Sequence, residues 1–312
     1  MIHLRVVSPP DVTAQLRPWL VSDAGVMNLI VIETSVHSPD GDAIEFDVLQ
    51  GRANEVIARL RELGIDRRGS IVLEPVSTSI SAVAAQAEVD RSRFDEFAPV
   101  WEEVDARIRW DGRFPPSWYG LLVIAGLIAA VGILTNSQIL IVGAMVVGPE
   151  YGAIMAMAYG VTRHETPLVR KGARALAVGF ALAVVAALLL ALVIRAAGLE
   201  PKAFALGLRP VSHLINSPDW FSVIVAVLAG VVGVISLTEA RTSTLIGVFI
   251  SVTTIPAAAD IGVSIAFGSN SEALGSLEQL LLNVSLLAAV AVLGIPAQRM
   301  IWRRITGTPG PR

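Results

Sequence analysis

Two apolar stretches of the chain each carry a proline followed closely by an acidic residue. In the first stretch Glu150 comes directly after Pro149, and in the second Asp260 lies four positions after Pro256. Proline frees backbone groups in a helix, and a carboxyl inside a membrane is costly, so such pairs are typical of functional sites that bind protons or ions. Interrupted helices at corresponding places in two halves of a membrane domain are typical of the binding sites of secondary transporters.

Glu150 has two interpretations from its position in the sequence. Gly148 is suited to end one half-helix and Pro149 to begin the next, which places the carboxyl at a positive helix end. The group is then either a cap for the kink, with its charge satisfied internally, or a cation or proton site. At about 1.5 Å per residue along straight helices, Glu150 falls nearer the membrane midplane than Asp260, so the two are candidate stations of one pathway. An intramembrane pair of catalytic carboxyls is a further alternative.

Polar side chains accompany the second proline. Thr253 and Thr254 lie just before Pro256 and are suited to satisfy the backbone groups that it frees. Asn283, in the last apolar stretch, is the polar neighbour expected for this site, although bridging two helices is the commoner role of such a side chain. The substrate- or ion-binding residues predicted from the sequence are Gly148, Pro149, Glu150, Thr253, Thr254, Pro256, Asp260 and Asn283.

The composition indicates a membrane protein with a soluble head. Of 312 residues, 54% are hydrophobic and 16% are charged, and the apolar residues are concentrated after Tyr119. Up to Ser117 there are 12 Lys or Arg against 19 Asp or Glu, and such an acidic head argues against nucleic acid as a partner. The chain has no cysteine, which excludes disulfides and thiolate chemistry. The N-terminus lacks the pattern of a signal peptide, so we expect the head to stay in the cytoplasm.

Residues 1–80 alternate between strand and helix patterns. A strand and an amphipathic helix are followed by two strands around a turn at Ser38–Gly41, by a helix over Asn54–Leu63 and by a strand over Ile71–Val76. The order βαββαβ predicts a ferredoxin-like domain. This domain has no phosphate loop, paired histidines or nucleophile motif. It is interpreted either as a folding or oligomerisation module or as a ligand-sensing regulatory domain.

Residues 81–117 form a densely charged connection between the head and the membrane. In its second half Trp101, Val104 and Ile108 make a narrow apolar stripe. This pattern is interpreted as an interfacial elbow helix, in which Trp101, Trp110 and Trp118 are anchors at the membrane surface. The alternative is a linker that packs on the head.

Six apolar segments within residues 118–298 are long enough to cross a membrane. They are Trp118–Thr135, Gln138–Gly160, Ala173–Gly198, Trp220–Thr238, Ser243–Phe267 and Leu277–Gln298. Lys and Arg are concentrated in the connection after the second segment and in a basic tail over residues 299–312. By the positive-inside rule both termini are cytoplasmic, in agreement with an even number of spans in a bacterial inner membrane.

The two halves of the membrane domain resemble each other in sequence. In the first span of each half, Leu127, Val131, Gly132 and Ile133 match Leu228, Val232, Gly233 and Val234. After a three-residue insertion, Ile141, Val142, Gly143 and Met145 match Leu245, Ile246, Gly247 and Phe249. Three spans in each half make the repeats run in opposite directions. This is the inverted-repeat arrangement of many carriers.

Three segments carry a resemblance to a known family: GAMVVGPEYG from Gly143, GVFISVTTIPAAADIG from Gly247 and LLLNVSLLA from Leu280. In these segments, in their order and in the turn at Thr135–Ser137, the chain resembles the bacterial uncharacterised hydrophobic membrane family called domain of unknown function 389. The resemblance covers Trp118–Arg299 and implies a fold and a membrane location, without an established activity. Where that family commonly has a second proline at each break, this chain has other residues.

Enzyme motifs are missing from the sequence. Its four histidines lie in the head or in loops without metal-ligand spacing, and there is no Gly-x-Ser-x-Gly elbow or Walker loop. We therefore expect neither an enzyme nor a bound cofactor or metal. The expected protein is a homo-oligomer embedded in membrane lipid that moves a small ion or solute across it. The alternative is a non-transporting membrane scaffold or sensor.

The predicted topology is testable because the chain has no cysteine of its own. Single cysteines introduced at Ser38, Asn270 and Arg304 should react with an impermeant thiol reagent in intact cells only at Asn270, since the positive-inside rule places that connection outside. Permeabilised cells are the control in which all three positions are labelled. Labelling of the Ser38 variant in intact cells would overturn this topology.

Overall fold

A computed structural model describes residues 1–76, 97–238 and 253–306 of the chain. The chain divides into two compact units, one formed by Met1–Asp105 with Arg299–Arg312 and the other by Ala106–Gln298. Within the described residues, the strands all belong to the first unit, and the second unit is helical.

The head is a four-stranded antiparallel sheet with helices between its strands. Its elements are β1 (Ile2–Ser8), α1 (Pro10–Ser22), β2 (Val26–His37), β3 (Asp40–Val48), α2 (Gln50–Glu62), α3 (Ile65–Arg68) and β4 (Ser70–Pro75). The strands lie in the spatial order β2-β3-β1-β4, and every neighbouring pair is antiparallel. The predicted strands and helices are thus present in the predicted order. The one-turn helix α3 is an addition that is too short to give a periodic signal.

Apolar and polar side chains alternate along the strands, so that one face of the sheet is apolar and is buried. Leu4 pairs with Phe46 and Val6 pairs with Ile44 across β1 and β3, and all four side chains are fully buried. Leu60 of α2 belongs to the same core. Burial of each such side chain contributes about 1.5–3 kcal/mol to folding.

Residues 98–104 pack against the head. Val100 belongs to the core of the head, just before α4 (Trp101–Asp111). Asn54 of α2 donates to the carbonyl oxygen of Pro99 at 3.0 Å and accepts from the backbone N–H of Trp101 at 3.1 Å. These contacts support the alternative of a linker that packs on the head, and the interfacial position of the rest of the helix stays a prediction. The first part of the connection, residues 77–96, lies outside the described residues.

The three tryptophans predicted as membrane anchors lie in different environments. The guanidinium of Arg299 lies 4.9 Å from the centre of the Trp101 ring and forms an ion pair with Asp105. Trp110 is 66% exposed, whereas Trp118 is only 7% exposed. The anchor interpretation is therefore wrong for Trp118, because a buried ring is not available to a membrane surface.

The second unit contains most of the apolar helices. They are α5 (Pro116–Leu134), α6 (Gln138–Val147), α7 (Glu150–Thr162), α8 (Thr166–Ala196), α9 (Lys202–Ala205), α10 (Pro210–Ile215), α11 (Trp220–Thr238), α12 (Thr254–Ala266) and α13 (Asn270–Thr306). Among the described residues, α5, α8, α11 and α13 are long and apolar enough to cross a membrane, and α6 with α7 makes a fifth candidate span. The predicted span Ser243–Phe267 is described only from Thr253 onward.

Two helices extend beyond the predicted spans. α8 begins at Thr166, before the predicted start at Ala173, and α13 continues past Gln298 into the segment predicted as a basic tail. Long Lys and Arg side chains are tolerated at the ends of apolar helices because their charged groups reach water. Hydropathy therefore marks the apolar part of a helix and not the residue at which the helix ends.

Asn54 should stabilise the attachment of the linker to the head. Asn54→Ala should lower the free energy of unfolding by about 1–3 kcal/mol, because two backbone groups lose their partner. The thermal unfolding midpoint of the solubilised full chain, followed by tryptophan fluorescence, measures the change. The control is Arg59→Ala in the same helix, where an exposed ion pair with Glu62 is lost and the change should be below about 1 kcal/mol. Equal midpoints for the two variants would contradict this role of Asn54.

Candidate functional site

The first predicted helix break is present. α6 ends at Val147, α7 begins at Glu150, and the two helices are bent by 48°. Gly148 is extended, and Pro149 immediately precedes the first turn of α7, where its missing N–H is not needed. Glu150 is thus the first residue of a half-helix and lies at its positive end.

Trp118 of α5 supports the break. Its indole Nε1 donates to the carbonyl oxygen of Pro149 at 3.2 Å. A helix interruption in apolar surroundings leaves carbonyl groups without partners, and this bond satisfies one of them. Sequence reasoning missed this role because a tryptophan near the start of a span is usually an anchor at the membrane surface.

The Glu150 side chain is buried and only partly hydrogen-bonded. It is 6% exposed, and its Oε1 accepts from the hydroxyl of Thr254 at 2.6 Å. Its Oε2 has no hydrogen-bond partner among the described residues. The carboxyl therefore keeps acceptor capacity that the described part of the fold does not use.

Ile255 packs into a notch that exists because residue 148 is glycine. A Cβ on Gly148 would overlap the Cδ1 of Ile255 and would lie against Oε2 of Glu150. Because Thr254 is the first residue of α12, this packing brings the beginning of α12 against the beginning of α7. Two positive helix ends therefore meet at the carboxyl of Glu150.

Pro256 is the third residue of α12, where a proline needs no N–H partner. The predicted break at Thr254–Pro256 is thus observed as a helix start. The residues of that span before Thr253 lie outside the described part of the chain. Neither threonine hydroxyl caps the helix, because that of Thr254 donates to Glu150 and that of Thr253 accepts from a side-chain amide. The carbonyl group that Pro256 frees, that of Val252, lies outside the described residues, so the expected bonding of these hydroxyls to freed backbone groups stays a prediction.

Asn283 of α13 supplies that amide. Its Nδ2 donates to the hydroxyl of Thr253 at 3.2 Å, and its Oδ1 accepts from Nε2 of Gln279 at 3.3 Å. Gln279 is 4% exposed, and its Oε1 has no partner among the described residues. Sequence reasoning missed Gln279, although two amides four positions apart in an apolar helix share one face and were a usable signal.

Asp260 of α12 is fully buried and has a donor for each oxygen. The hydroxyl of Ser212 donates to Oδ1 at 2.7 Å, and that of Ser276 donates to Oδ2 at 2.6 Å. Neither serine was predicted, since single serines in loops and helices carry little sequence signal. Among the described residues Asp260 and Glu150 have no hydrogen-bond partner in common, unlike two carboxyls that share a proton.

The described side-chain donors to both carboxyls are hydroxyls. Within residues 1–76, 97–238 and 253–306 no cluster of three His, Asp or Glu side chains is arranged to hold a metal ion. Hydroxyl donors hold a carboxylate without neutralising it. The chemistry open to Glu150, with one oxygen to spare, is the binding of a proton or a small cation.

Long apolar helices around buried polar groups define the class, a membrane protein. Residues 145–289, a little under half of the chain, match the model of the family described as Domain of unknown function (DUF389), which confirms the resemblance seen in the sequence. An uncharacterised protein of Methanocaldococcus jannaschii is 23% identical over 164 residues, which are 53% of this chain and 48% of the relative. The chain thus matches about half the length of that relative. No solved structure matches the chain significantly.

Gly148→Ala should destabilise the protein by about 1–3 kcal/mol, because the added Cβ forces Ile255 or the Glu150 carboxyl to move. Gly143→Ala in the same candidate span is the matched control, since a Cβ there has no atom within 4 Å. In a helix alanine is favoured over glycine by about 0.8–1 kcal/mol. The thermal unfolding midpoints of the two solubilised variants should therefore move in opposite directions. A Gly148→Ala midpoint equal to that of the parent would contradict close packing at the break.

Proposed function

We propose that this protein resides in the bacterial inner membrane and transports a small ion or solute, with its binding site at Glu150. The observation that carries the proposal is a buried carboxyl at a helix break, one oxygen of which is unpartnered among the described residues. Irregular backbone at membrane depth is tolerated where it is buried in protein or lines a cavity. Ionisable groups at that depth are typical of ion and proton pathways.

The energetics argue against a role limited to capping the kink. A charged carboxyl near the centre of a membrane helix costs about 2.5–3.5 kcal/mol. One hydrogen bond to a charged group contributes about 1.5–3 kcal/mol, and the helix end contributes about 0.3–2 kcal/mol. These contributions nearly cancel, so Glu150 gives the kink little net stability. An unpartnered acceptor adds a cost of about 1–3 kcal/mol, which a purely structural residue would avoid.

The proposed membrane domain has six spans in two inverted repeats of three. Glu150 begins α7 in the second span, and Thr254 begins α12 in the fifth, so the two helix starts hold corresponding places in the repeats. Their contact at 2.6 Å supports the proposal, because the site of an inverted-repeat carrier lies where its two interrupted helices meet. The transport mechanism would be the rocking of one repeat against the other.

The head is proposed to be a ferredoxin-like regulatory or oligomerisation domain on the cytoplasmic side of a homo-oligomer. Its βαββαβ order and its antiparallel strand order support this fold. We propose no enzymatic activity and no nucleic-acid partner. The excess of acidic over basic residues before Ser117 supports the second statement.

A non-transporting scaffold or sensor is the second candidate. It is favoured by the donors that both oxygens of Asp260 have, and by the packing of Ile255 against Gly148. We place transport first because Glu150, unlike Asp260, keeps an oxygen without a partner in the described residues. For the same reason Glu150 is proposed to carry more of the transport function than Asp260.

Glu150→Gln keeps the shape of the side chain and removes its charge. It should leave a folded oligomer, checked by size-exclusion chromatography, and should reduce ion- or proton-linked flux in reconstituted vesicles to background. Asp260→Asn makes the same change at the other carboxyl and should keep a larger share of the flux. Loss of flux in Asp260→Asn alone would reverse the assignment of the two carboxyls. Unchanged flux in both variants would favour the scaffold.

A further inference from the structure

We infer that Glu150 binds a proton, and that polar side chains between α12 and α13 line the path by which protons reach and leave it. This inference rests on the proposed transport function and names its ion. The polar column, as we call this path, consists of Thr253, Asn283, Gln279, Ser276 and Asp260. Its first member adjoins Thr254, whose hydroxyl contacts Glu150.

The polar column follows one face of each helix. Ser276, Gln279 and Asn283 are three and four positions apart on α13, so their side chains lie on one side of it. Asp260 lies two turns beyond Thr253 along α12 and shares its face. Asn283 contacts Thr253 at one end of the two faces, and Ser276 contacts Asp260 at the other end. These two contacts are seven residues apart along each helix, which is a distance of about 10 Å. The column thus covers about one third of a hydrocarbon core that is about 30 Å thick.

Gln279 lies between the two contacts. Its amide nitrogen donates to Asn283, while its buried Oε1 has no donor in the described part of the chain. An unpartnered buried acceptor costs about 1–3 kcal/mol, and a passing hydronium or water offsets this cost when it donates to the oxygen. The amide is placed where a proton must move between Asn283 and Ser276.

The polar column continues to the loop between α8 and α11. The hydroxyl of Ser212 contacts Asp260, and Nδ2 of Asn216 contacts the same hydroxyl at 3.4 Å. The exposed Ser217 donates to the side chain of Asn216. Hydrogen-bonded groups therefore link the buried Asp260 to an exposed part of the second unit.

The surroundings of Glu150 fit a proton better than a metal ion. Divalent cations take about six or more oxygen ligands, whereas this carboxyl has one side-chain partner among the described residues, the hydroxyl of Thr254, and a methyl group of Ile255 lies close to it. A proton needs only the carboxyl oxygen itself. Protonation also removes the cost of a charge at this depth. The adjacent titratable side chain, Tyr151, packs against Gly233 of α11.

The charged side chains near Asp260 are bound to other groups. Glu272 of α13 is paired with Arg209 at 3.1 Å. Arg195 of α8 donates to the carbonyl oxygen of Ala266, at the end of α12. The described bonds of Asp260 come from serine hydroxyls. A proton can therefore bind or leave this carboxyl without breaking an ion pair.

The proposed step is a reversible proton transfer. A hydronium ion from the loop side passes the carboxyl of Asp260, moves along the polar column and gives its proton to Oε2 of Glu150, which leaves a water molecule. That carboxylate becomes a neutral carboxylic acid. Release of the proton from Oε2 to a water molecule restores the carboxylate and the hydronium ion, and no other bond is formed or broken.

Infrared difference spectra of the full chain in lipid vesicles test proton binding without measuring transport. The C=O stretching band of a carboxylic acid should appear as the pH is lowered, be lost in Glu150→Gln and remain in Asp260→Asn. If Glu150→Gln does not fold, Thr254→Val replaces it, since removing the hydroxyl at Oε1 should shift the frequency of the same band. Absence of a titrating band from Glu150 would overturn the inference.

Proton flux into the same vesicles under an imposed K⁺ potential tests the polar column. Gln279→Leu and Asn283→Leu should lose most of the flux and keep the titrating band of Glu150. The control is Ser236→Ala in α11, where the buried hydroxyl donates to the carbonyl oxygen of Val232 in its own helix. This control should keep the parent flux. Parent flux in Gln279→Leu would rule out the polar column as the path.

Failure of this inference is distinguishable from failure of the proposed function. A protein that carries another small ion, but shows no titrating band from Glu150, contradicts proton binding and leaves transport intact. A titrating band without flux of protons or of other small ions contradicts transport and the path, and supports proton binding at Glu150.

Discussion

The packing of Ile255 against Gly148 is the contact on which the described part of the membrane unit depends. It is possible only because residue 148 has no Cβ, and it brings the hydroxyl of Thr254 to Glu150. Trp118 completes the junction through the carbonyl oxygen of Pro149. Three helices, α5, α7 and α12, thus meet at an interruption of two residues. An unbroken second span would leave neither the notch nor the buried carboxyl.

The two membrane carboxyls differ in what holds them. Each oxygen of Asp260 has a serine donor, so the group is tied to α10 and α13 as well as to its own helix. Among the described residues Glu150 has one side-chain donor, and its second oxygen lies near a methyl group of Ile255. A fully bonded carboxyl fixes the elements around it, whereas a partly bonded one can change its proton or ligand at a lower cost. This asymmetry distinguishes a structural role from a binding role better than the sequence position of either residue.

The extent of the DUF389 match agrees with the extent of the site. The match begins at Met145, just before the break, and ends at residue 289, just after Asn283. All the residues predicted for the site lie inside it, and so do the polar side chains that the structure adds, Ser212, Ser276 and Gln279. The strands of the head and the Asn54 contacts lie before it. The matched part is therefore the part that holds the predicted site and its polar neighbours.

The sequence alone determined the features that depend on local chemistry. Apolar length predicted the candidate spans, alternation predicted the strands of the head, and Gly148 with Pro149 predicted the first break, because each pattern acts within a few residues along the chain. Only the tertiary structure decided which polar groups meet. Thr254 reaches Glu150 across 104 positions, and Trp118 turns inward to Pro149, through packing that no local pattern records. The same holds for the serines at Asp260, since a hydroxyl becomes part of a site only when folding brings a buried acceptor within about 3 Å.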